Sequence, residues 1–183
     1  MIKKLLAVVV CATFLPTVAN AAGGYIGGSF GQTELEVSSA DKAALATAGV
    51  SLDDTDTGFK IFGGYRYNDN IAVEVFYTDL GEATVSSGAN FAKIESDTLG
   101  VALMGIIPLN TNIELFAKAG FHAWDAEASS NVGLSGSDDG TDLVYGVGAA
   151  YNMQKASLRA EFERYELEEE EVDMISVGLT FNF

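Results

Sequence analysis

The chain ends with the residues Ile-Ser-Val-Gly-Leu-Thr-Phe-Asn-Phe (175–183), in which apolar residues alternate with polar or small ones. Successive side chains of a β-strand point to opposite faces, so this alternation predicts a strand with one apolar and one polar face. The same pattern recurs upstream, for example in residues 71–78 and 113–122. We therefore predict an all-β protein.

Eight segments of the chain carry this alternation and are separated by turn-forming residues. They cover residues of about 24–35, 57–67, 71–80, 93–107, 112–125, 141–151, 156–166 and 172–183. Each is close to the roughly 9–11 residues that a tilted strand needs to cross a bilayer. Eight strands of this length predict one domain that spans a membrane.

The connections between the segments alternate in length. Those after the second, fourth and sixth segments are short, whereas the others are long or strongly acidic: about 36–56, 81–92, 126–140 and 167–171. Short turns at one end and long polar loops at the other are typical of outer-membrane barrels. We predict an eight-stranded antiparallel up-and-down transmembrane β-barrel over residues 22–183, with both termini in the periplasm.

The polar faces of the segments carry small residues and several charges in mid-strand, so we interpret them as the barrel interior and the apolar faces as lipid-facing. An eight-stranded barrel is just wide enough to be filled by side chains. Four basic and four acidic residues are predicted to lie inside: Lys60, Arg66, Glu74, Glu114, Lys118, Arg159, Glu161 and Glu163. Two interpretations stay open, an internal salt-bridge plug and a narrow, gated path for small ions. A wide pore needs about 16–18 strands and is not expected here.

The N-terminus predicts a cleaved secretory signal peptide over residues 1–21. Lys3 and Lys4 precede an apolar run, which is followed by Ala19-Asn20-Ala21, the usual small-residue cleavage site. Cleavage removes Cys11, the only cysteine, so no disulfide is expected. The mature chain then has 8 Lys and Arg against 26 Asp and Glu, a formal charge of −18. So acidic a protein is not expected to bind nucleic acid.

Aromatic residues cluster near the segment ends, where an interfacial girdle would lie. Those beside the short turns are Tyr65, Tyr67, Tyr151, Phe181 and Phe183. Tyr77, Phe121 and Trp124 would mark the opposite rim. Strict alternation gives Trp124 an inward position, so either a bulge intervenes or it caps the interior.

The predicted loops contain one short helix and three acidic groups. Residues 40–48 predict the helix, with Ser39 as its cap and Gly49 as its stop. The acidic groups comprise Asp53, Asp54 and Asp56; Asp138, Asp139 and Asp142; and Glu166, Glu168 to Glu171 and Asp173. Closely spaced carboxylates can bind Ca²⁺, but none of these follows an EF-hand loop. Ordinary solvated charge is the better interpretation, and no metal or other cofactor is expected.

His122 is the only histidine of the chain, and it lies toward the predicted outer rim. A hydrolase would need it beside a carboxylate or serine, and Asp125 is three residues away. Nothing else in the sequence supports a catalytic triad. We predict an interior packing role for His122 and no enzymatic activity; a hydrolase or acyltransferase would instead lose activity on His122→Ala.

Several motifs resemble the transmembrane domain of OmpA. They are Phe62-Gly63-Gly64-Tyr65, Ala72-Val73-Glu74-Val75-Phe76-Tyr77 and Arg159-Ala160-Glu161-Phe162. The ending looks like the signal that the barrel-assembly machinery reads in that family, carried by Ile175, Val177, Leu179, Phe181 and Phe183. OmpA proper continues into a peptidoglycan-binding domain, whereas this sequence stops at the barrel, so a tethering role is not expected. Ser29 and Met104 match positions where the family has interior basic residues.

The resemblance implies a bacterial outer-membrane protein with a structural and surface-interaction role. Its expected partners are outer-membrane lipid and lipopolysaccharide, the barrel-assembly machinery and periplasmic chaperones, and a host-surface or phage ligand on the loops. The short format also resembles the small barrels used for adhesion and serum resistance. The alternative is a narrow channel or small-solute uptake barrel.

Overall fold

The computed structural model describes residues 23–168 and 170–183, so the predicted signal peptide (1–21) lies outside the described residues. Within them the chain forms nine strands and one helix. The elements are β1 (Gly23–Glu36), α1 (Ser39–Thr47), β2 (Ser51–Asp53), β3 (Thr55–Asn68), β4 (Ile71–Ser87), β5 (Asn90–Pro108), β6 (Ile113–Ser130), β7 (Ser135–Met153), β8 (Ala156–Leu167) and β9 (Glu170–Asn182).

The eight long strands close into an antiparallel barrel. Each pairs with its neighbour in the order β1-β3-β4-β5-β6-β7-β8-β9, and β9 returns to pair with β1. The short β2 stands outside this ring and pairs only with the far part of β4. The predicted eight-stranded up-and-down barrel is confirmed.

The two ends of the barrel differ, as the loop lengths predict. One end, here called the turn end, carries the short turns 69–70, 109–112 and 154–155 and both described termini. The other, here called the hairpin end, carries α1, β2 and the long hairpins β4–β5 and β6–β7. The predicted loops 81–92 and 126–140 are mostly strand, since these hairpins turn only at residues 88–89 and 131–134. Gly88 and Gly133, at φ of 62° and 82°, permit those turns.

The alternation in the sequence underestimates the length of these hairpins, because the surroundings of their strands change partway along. Asp79 and Glu82 flank a register shift in the β4–β5 pairing, and Gly81 between them has a φ of 78°. Beyond this shift the outward positions carry charged residues such as Glu82 and Glu95, so the outward apolar stripe that marks the first part of β4 does not continue. The backbone ladder nevertheless continues as far as the pair Ser87–Asn90.

The outer surface of the barrel is apolar and its interior is polar. Val177 and Leu179 are nearly half exposed on the outside, whereas Lys60 and Glu74 are fully buried within. Water would penalise so large an exposed apolar band, whereas acyl chains would cover it. Trp124 keeps its inward position and is buried, so it caps the interior without a bulge.

Glycines make room for the aromatic rings inside. Five inward rings each lie directly across the ladder from a glycine, where an added Cβ would stand only 2.2–2.7 Å from the ring. The pairs are Tyr25–Gly64, Phe62–Gly27, Phe76–Gly100, Phe116–Gly148 and Trp124–Gly140. Much of the Gly-rich composition therefore follows from packing large rings into a narrow bore.

Candidate functional site: the barrel interior and the hairpin end

Six of the eight predicted interior charges form one network in the middle of the bore. Its members come from β3, β4, β6 and β8: Lys60, Glu74, Lys118, Arg159, Glu161 and Glu163. Three are cations and three are carboxylates, so the network is neutral overall. Buried charges persist only when paired in this way.

Lys118 lies at the centre of the network. Its Nζ is 3.2 Å from Glu74 Oε1, 2.8 Å from Glu161 Oε2 and 2.6 Å from Glu163 Oε1. Lys60 donates hydrogen bonds to Glu161 and Glu163 from the opposite wall. The ammonium groups therefore hold together carboxylates of strands that are not neighbours in the barrel.

Arg159 completes the network toward the turn end. Its Nη1 donates to Glu74 Oε2 at 2.8 Å, and its Nε is 3.0 Å from Glu161 Oε1. The guanidinium lies 4.5 Å from the ring centre of Phe62 and 4.7 Å from that of Phe116. These cation–π contacts stabilise the charge on the faces that carboxylates do not reach.

The remaining two predicted charges, Arg66 and Glu114, pair with each other near the turn end. Arg66 Nη1 is 3.0 Å and 3.2 Å from the two carboxylate oxygens of Glu114. Both line a cavity of about 670 Å³ that runs from the turn end as far as Arg159. This cavity is a vestibule, because the network closes its inner end.

A layer of uncharged side chains covers the network on its other side. Tyr165 donates a hydrogen bond to Glu163 at 3.1 Å and shares another with Thr78 at 3.1 Å. Beyond it, Trp124 donates from Nε1 to Asp142 at 2.7 Å. The apolar residues buried in this layer are Leu80, Leu167, Val172 and Met174. The bore is therefore filled from Arg159 up to Trp124.

His122 belongs to this layer. Its Nδ1 is 2.6 Å from Thr98 Oγ1, and its ring meets Tyr165 edge to face with centroids 5.4 Å apart. Asp125, the carboxylate three residues along the chain, lies on the opposite face of β6, because odd and even positions of this strand face opposite ways. The structure thus separates the two residues that a catalytic hypothesis would bring together.

Within residues 23–168 and 170–183, no group of His, Cys, Asp and Glu side chains is arranged to hold a metal ion. In the same part of the chain, no helix is both long and apolar enough to cross a membrane.

Nearly all of the net charge lies at the hairpin end. By chain position, segments 34–57, 79–97, 125–142 and 164–173 contain 21 of the 26 acidic residues and three of the basic ones. Across four neighbouring strands, Asp79, Asp97, Asp125 and Asp139 stand directly opposite one another. This end is a strongly anionic surface.

The three cations of the hairpin end are all held by carboxylates. Lys42 is 2.6 Å from Asp54, Lys93 is 2.6 Å from Glu82, and Arg164 is 2.6 Å from both Glu171 and Asp173. The Lys42 hydrogen bond lowers the pKa of Asp54, and the same bond raises the pKa of Lys42. The observed helix α1, at Ser39–Thr47, is tied to the chain after β2 by this pair.

Sequence reasoning did not single out the uncharged partners of the network. Tyr25 donates to Glu74 at 3.1 Å, and Tyr165 donates to Glu163. Both lie at inward-facing positions of their strands, so the alternation of residues could have identified them as interior side chains. The stagger of the closed barrel decides which carboxylate each hydroxyl contacts. The local sequence pattern does not reveal this stagger. Met104 and Ser29 also face inward, as the matched positions predict.

A closed barrel of eight strands with an apolar exterior and a filled, charged interior defines the class of small transmembrane β-barrels. The family model described as "Outer membrane protein beta-barrel domain" matches residues 5–183, and the chain belongs to this family. It is a bacterial outer-membrane barrel.

Solved structures show the same fold. Neisserial surface protein A is 16% identical, with a TM-score of 0.63 over 90% of this chain and 100% of that one. Ail of Yersinia pestis is also 16% identical, with a TM-score of 0.61 over 90% and 100%. The N-terminal barrel of OprF from Pseudomonas aeruginosa is 15% identical, with a TM-score of 0.60 over 88% and 98%. A search of the curated proteins found no match.

Proposed function

We propose that the protein is a closed, non-catalytic barrel with a structural role, whose hairpin end faces the cell exterior and meets other molecules. The network of six charges carries this proposal, since it joins four strands across the bore and is covered by the Tyr165–Trp124 layer. The apolar exterior anchors the barrel in lipid. The interior charges lock the strands to one another.

The filling of the bore favours this role over a narrow channel or small-solute uptake barrel. The vestibule reaches Arg159 from the turn end, and buried Lys118, Tyr165 and Trp124 occupy the path beyond it. An ion would have to separate charges in the network, and an unpaired buried charge costs about 3–5 kcal/mol. A catalytic role is disfavoured by the burial of His122.

Single-channel conductance in planar bilayers tests whether the bore of the barrel is closed. The wild-type barrel should give no discrete current steps. A Lys118→Ala/Glu163→Ala variant keeps the charge balance but removes part of the plug, so it serves as the control for sensitivity. Salt-dependent openings of the wild type, enlarged in this variant, would instead establish the channel.

The orientation of the barrel is a separate part of the proposal. We expect the hairpin end outside and both termini in the periplasm. Because the predicted mature chain has no cysteine, single cysteines can be placed at will. Ser137→Cys at the hairpin end should react with a membrane-impermeant maleimide on intact cells, whereas Thr111→Cys at the turn end should not. The reverse labelling would invert the topology.

The partners follow from the same surfaces. The apolar band contacts outer-membrane lipid, and the anionic hairpin end meets lipopolysaccharide phosphates only through bridging divalent cations, since direct contact is repulsive. The exposed apolar residues of the C-terminal strand, ending in Phe181 and Phe183, fit recognition by the barrel-assembly machinery, after delivery by periplasmic chaperones. A host-surface or phage ligand would bind the hairpins.

The charge of the hairpin end restricts that ligand. Ail of Yersinia pestis has been solved in complex with the heparin analogue sucrose octasulfate. The excess of carboxylates at the hairpin end of this chain would repel such a polyanion. We therefore expect a ligand of a different charge class.

A further inference from the structure

The barrel wall rises above its mouth on one side only. There β4, β5, β6 and β7 remain paired beyond the Asp79–Asp139 row, and β2 adds to the edge of β4. The hairpin end thus carries a five-stranded wall that stands outside the apolar band.

One face of this wall is acidic and the other apolar. Glu82, Glu95 and Glu127 lie opposite one another across three strands. At the next position of each strand, on the opposite face, Ala83, Ile94 and Ala128 form a row. This apolar row continues the side of the sheet that carries Trp124 inside the barrel.

A groove of about 390 Å³ opens at the top of the wall, between the tips of its two hairpins. Its main apolar lining comprises Val50, Val85, Phe91, Ala92, Val132 and Leu134. Leu134 is 73% and Val132 60% exposed, although both stand far from the lipid-facing band. Clustered apolar side chains in water mark a binding surface, and this volume lies in the roughly 300–1,000 Å³ range of ligand sites.

The charge around the groove selects its occupant. Segments of the hairpin end carry 21 acidic residues and only three basic ones, and each of those bases is already held by a carboxylate. A second copy of this chain would bring the same negative surface and be repelled. A partner that offers apolar and cationic side chains together satisfies both features of the surface.

We propose that this groove binds a cationic amphipathic peptide segment. Its apolar side chains lie on Val85, Ala92 and Leu134, and its Lys or Arg side chains lie over Asp138, which pairs with Ala126 and so shares the apolar face of the wall. The inference deepens the proposed surface role and rests on it. The anionic surface raises the association rate, and the groove slows dissociation.

The test uses the full barrel in zwitterionic nanodiscs and a labelled synthetic helix of leucines and lysines with one apolar face. A twin peptide carries glutamate for every lysine. We expect the lysine peptide to bind at least about tenfold more tightly than its twin, and to weaken as salt rises. Conductance and cysteine labelling do not involve the peptide, so failure here is distinguishable from failure of the proposed function.

A matched pair of variants locates the site. Leu134→Gln in the groove should weaken binding of the lysine peptide by about tenfold, since it removes one large apolar contact. Leu109→Gln makes the same change at an exposed position of the turn end and should leave the affinity unchanged. Val132→Gln repeats the test if Leu134→Gln disturbs folding, which Trp124 fluorescence monitors.

Three results would overturn the proposal. Equal binding by the wild type and both groove variants would assign the affinity to surface charge alone. Equal binding of the two peptides would make the occupant apolar without a charge preference. Dimerisation that Leu134→Gln abolishes would assign the groove to a second copy of the chain.

Discussion

Replacing Lys118 tests how the interior network stabilises the barrel. Its Nζ contacts three carboxylates, at 3.2, 2.8 and 2.6 Å. Lys118→Met keeps most of the side-chain volume but leaves three buried carboxylates against only Lys60 and Arg159. Removing one partner from a buried ion network costs about 3–5 kcal/mol. With a urea dependence of about 2 kcal/mol/M, the unfolding midpoint should fall by about 2 M.

The unfolding of the barrel from lipid vesicles can be followed through Trp124, the only tryptophan of the chain, which is buried in the native state. The second arm of the experiment is Lys118→Met/Glu163→Gln, which restores equal numbers of buried cations and carboxylates. We expect this double variant to recover at least half of the lost stability, so the double-mutant cycle should give a large coupling energy.

Lys93→Met is the surface control. Lys93 is paired with Glu82 at 2.6 Å, but in water at the hairpin end, so its loss should leave the midpoint unchanged. The reasoning fails if Lys118→Met is as harmless as Lys93→Met. It also fails if the charge-balanced double variant is no more stable than the single one, since packing would then outweigh charge balance.

Three further predictions concern the backbone, the glycines and pH. Glu168 has a φ of 54°, so Glu168→Gly relieves a left-handed strain of about 1–2 kcal/mol but adds about 0.5–1 kcal/mol of glycine chain entropy, and the net effect should be a higher urea midpoint. Gly100→Ala would place a Cβ 2.3 Å from a ring and should cost about 1–3 kcal/mol, whereas Gly105→Ala on the same strand meets nothing within 4 Å and should be tolerated in the same assay. The Lys42–Asp54 pair lowers the pKa of Asp54 below 3.8, so its contribution to holding α1 is complete above that pH and is lost as pH falls through the lowered value. The protection factors of the α1 amides, which correct for the intrinsic pH dependence of exchange, should therefore fall in acid, and Lys42→Met should remove this change; an unchanged profile in that variant would contradict the assignment.

The strand count, the closure and the inside-out polarity could be predicted because all three depend on local alternation. Glu74, Lys118 and Arg159 each stand between two apolar residues of the outward face, and the structure places all three in the bore. The helix in the first loop was predicted to within about a residue at each end. Its capping and stop residues are local features too.

The pairing within the interior could not be predicted, because it depends on contacts across the bore. Lys60 and Glu163 are far apart in the chain and lie on β3 and β8, which are not adjacent in the barrel. Only the tilt and stagger of the closed sheet bring them together. The separation of Arg66 and Glu114 into their own pair has the same origin, since both lie close to the turn end.

The hairpin end was misjudged for a different reason. Alternation of apolar and polar residues identifies a strand only where the two faces of that strand lie in different surroundings. Beyond Asp79 both faces of β4 and β5 approach water, and residues such as Ser86, Ser87 and Asn90 carry no clear period. Their hydrogen-bonded ladder survives because an antiparallel pair needs only its backbone groups to match.

Single strands change polarity along their length, from the lipid-facing band to the groove at the hairpin end. In β5, Leu103 and Val101 face outward in the lipid-facing band, whereas Glu95 occupies the same face beyond Asp97. The inward face changes in the opposite sense, from Ala102 and Thr98 at the packed bore to the exposed Ile94 above it. A strand that only anchored the barrel would have no need of an apolar inner face once it had left the membrane. The persistence of that face above the mouth, beside carboxylates that repel the chain's own copies, is what makes a cationic amphipathic partner the fitting occupant.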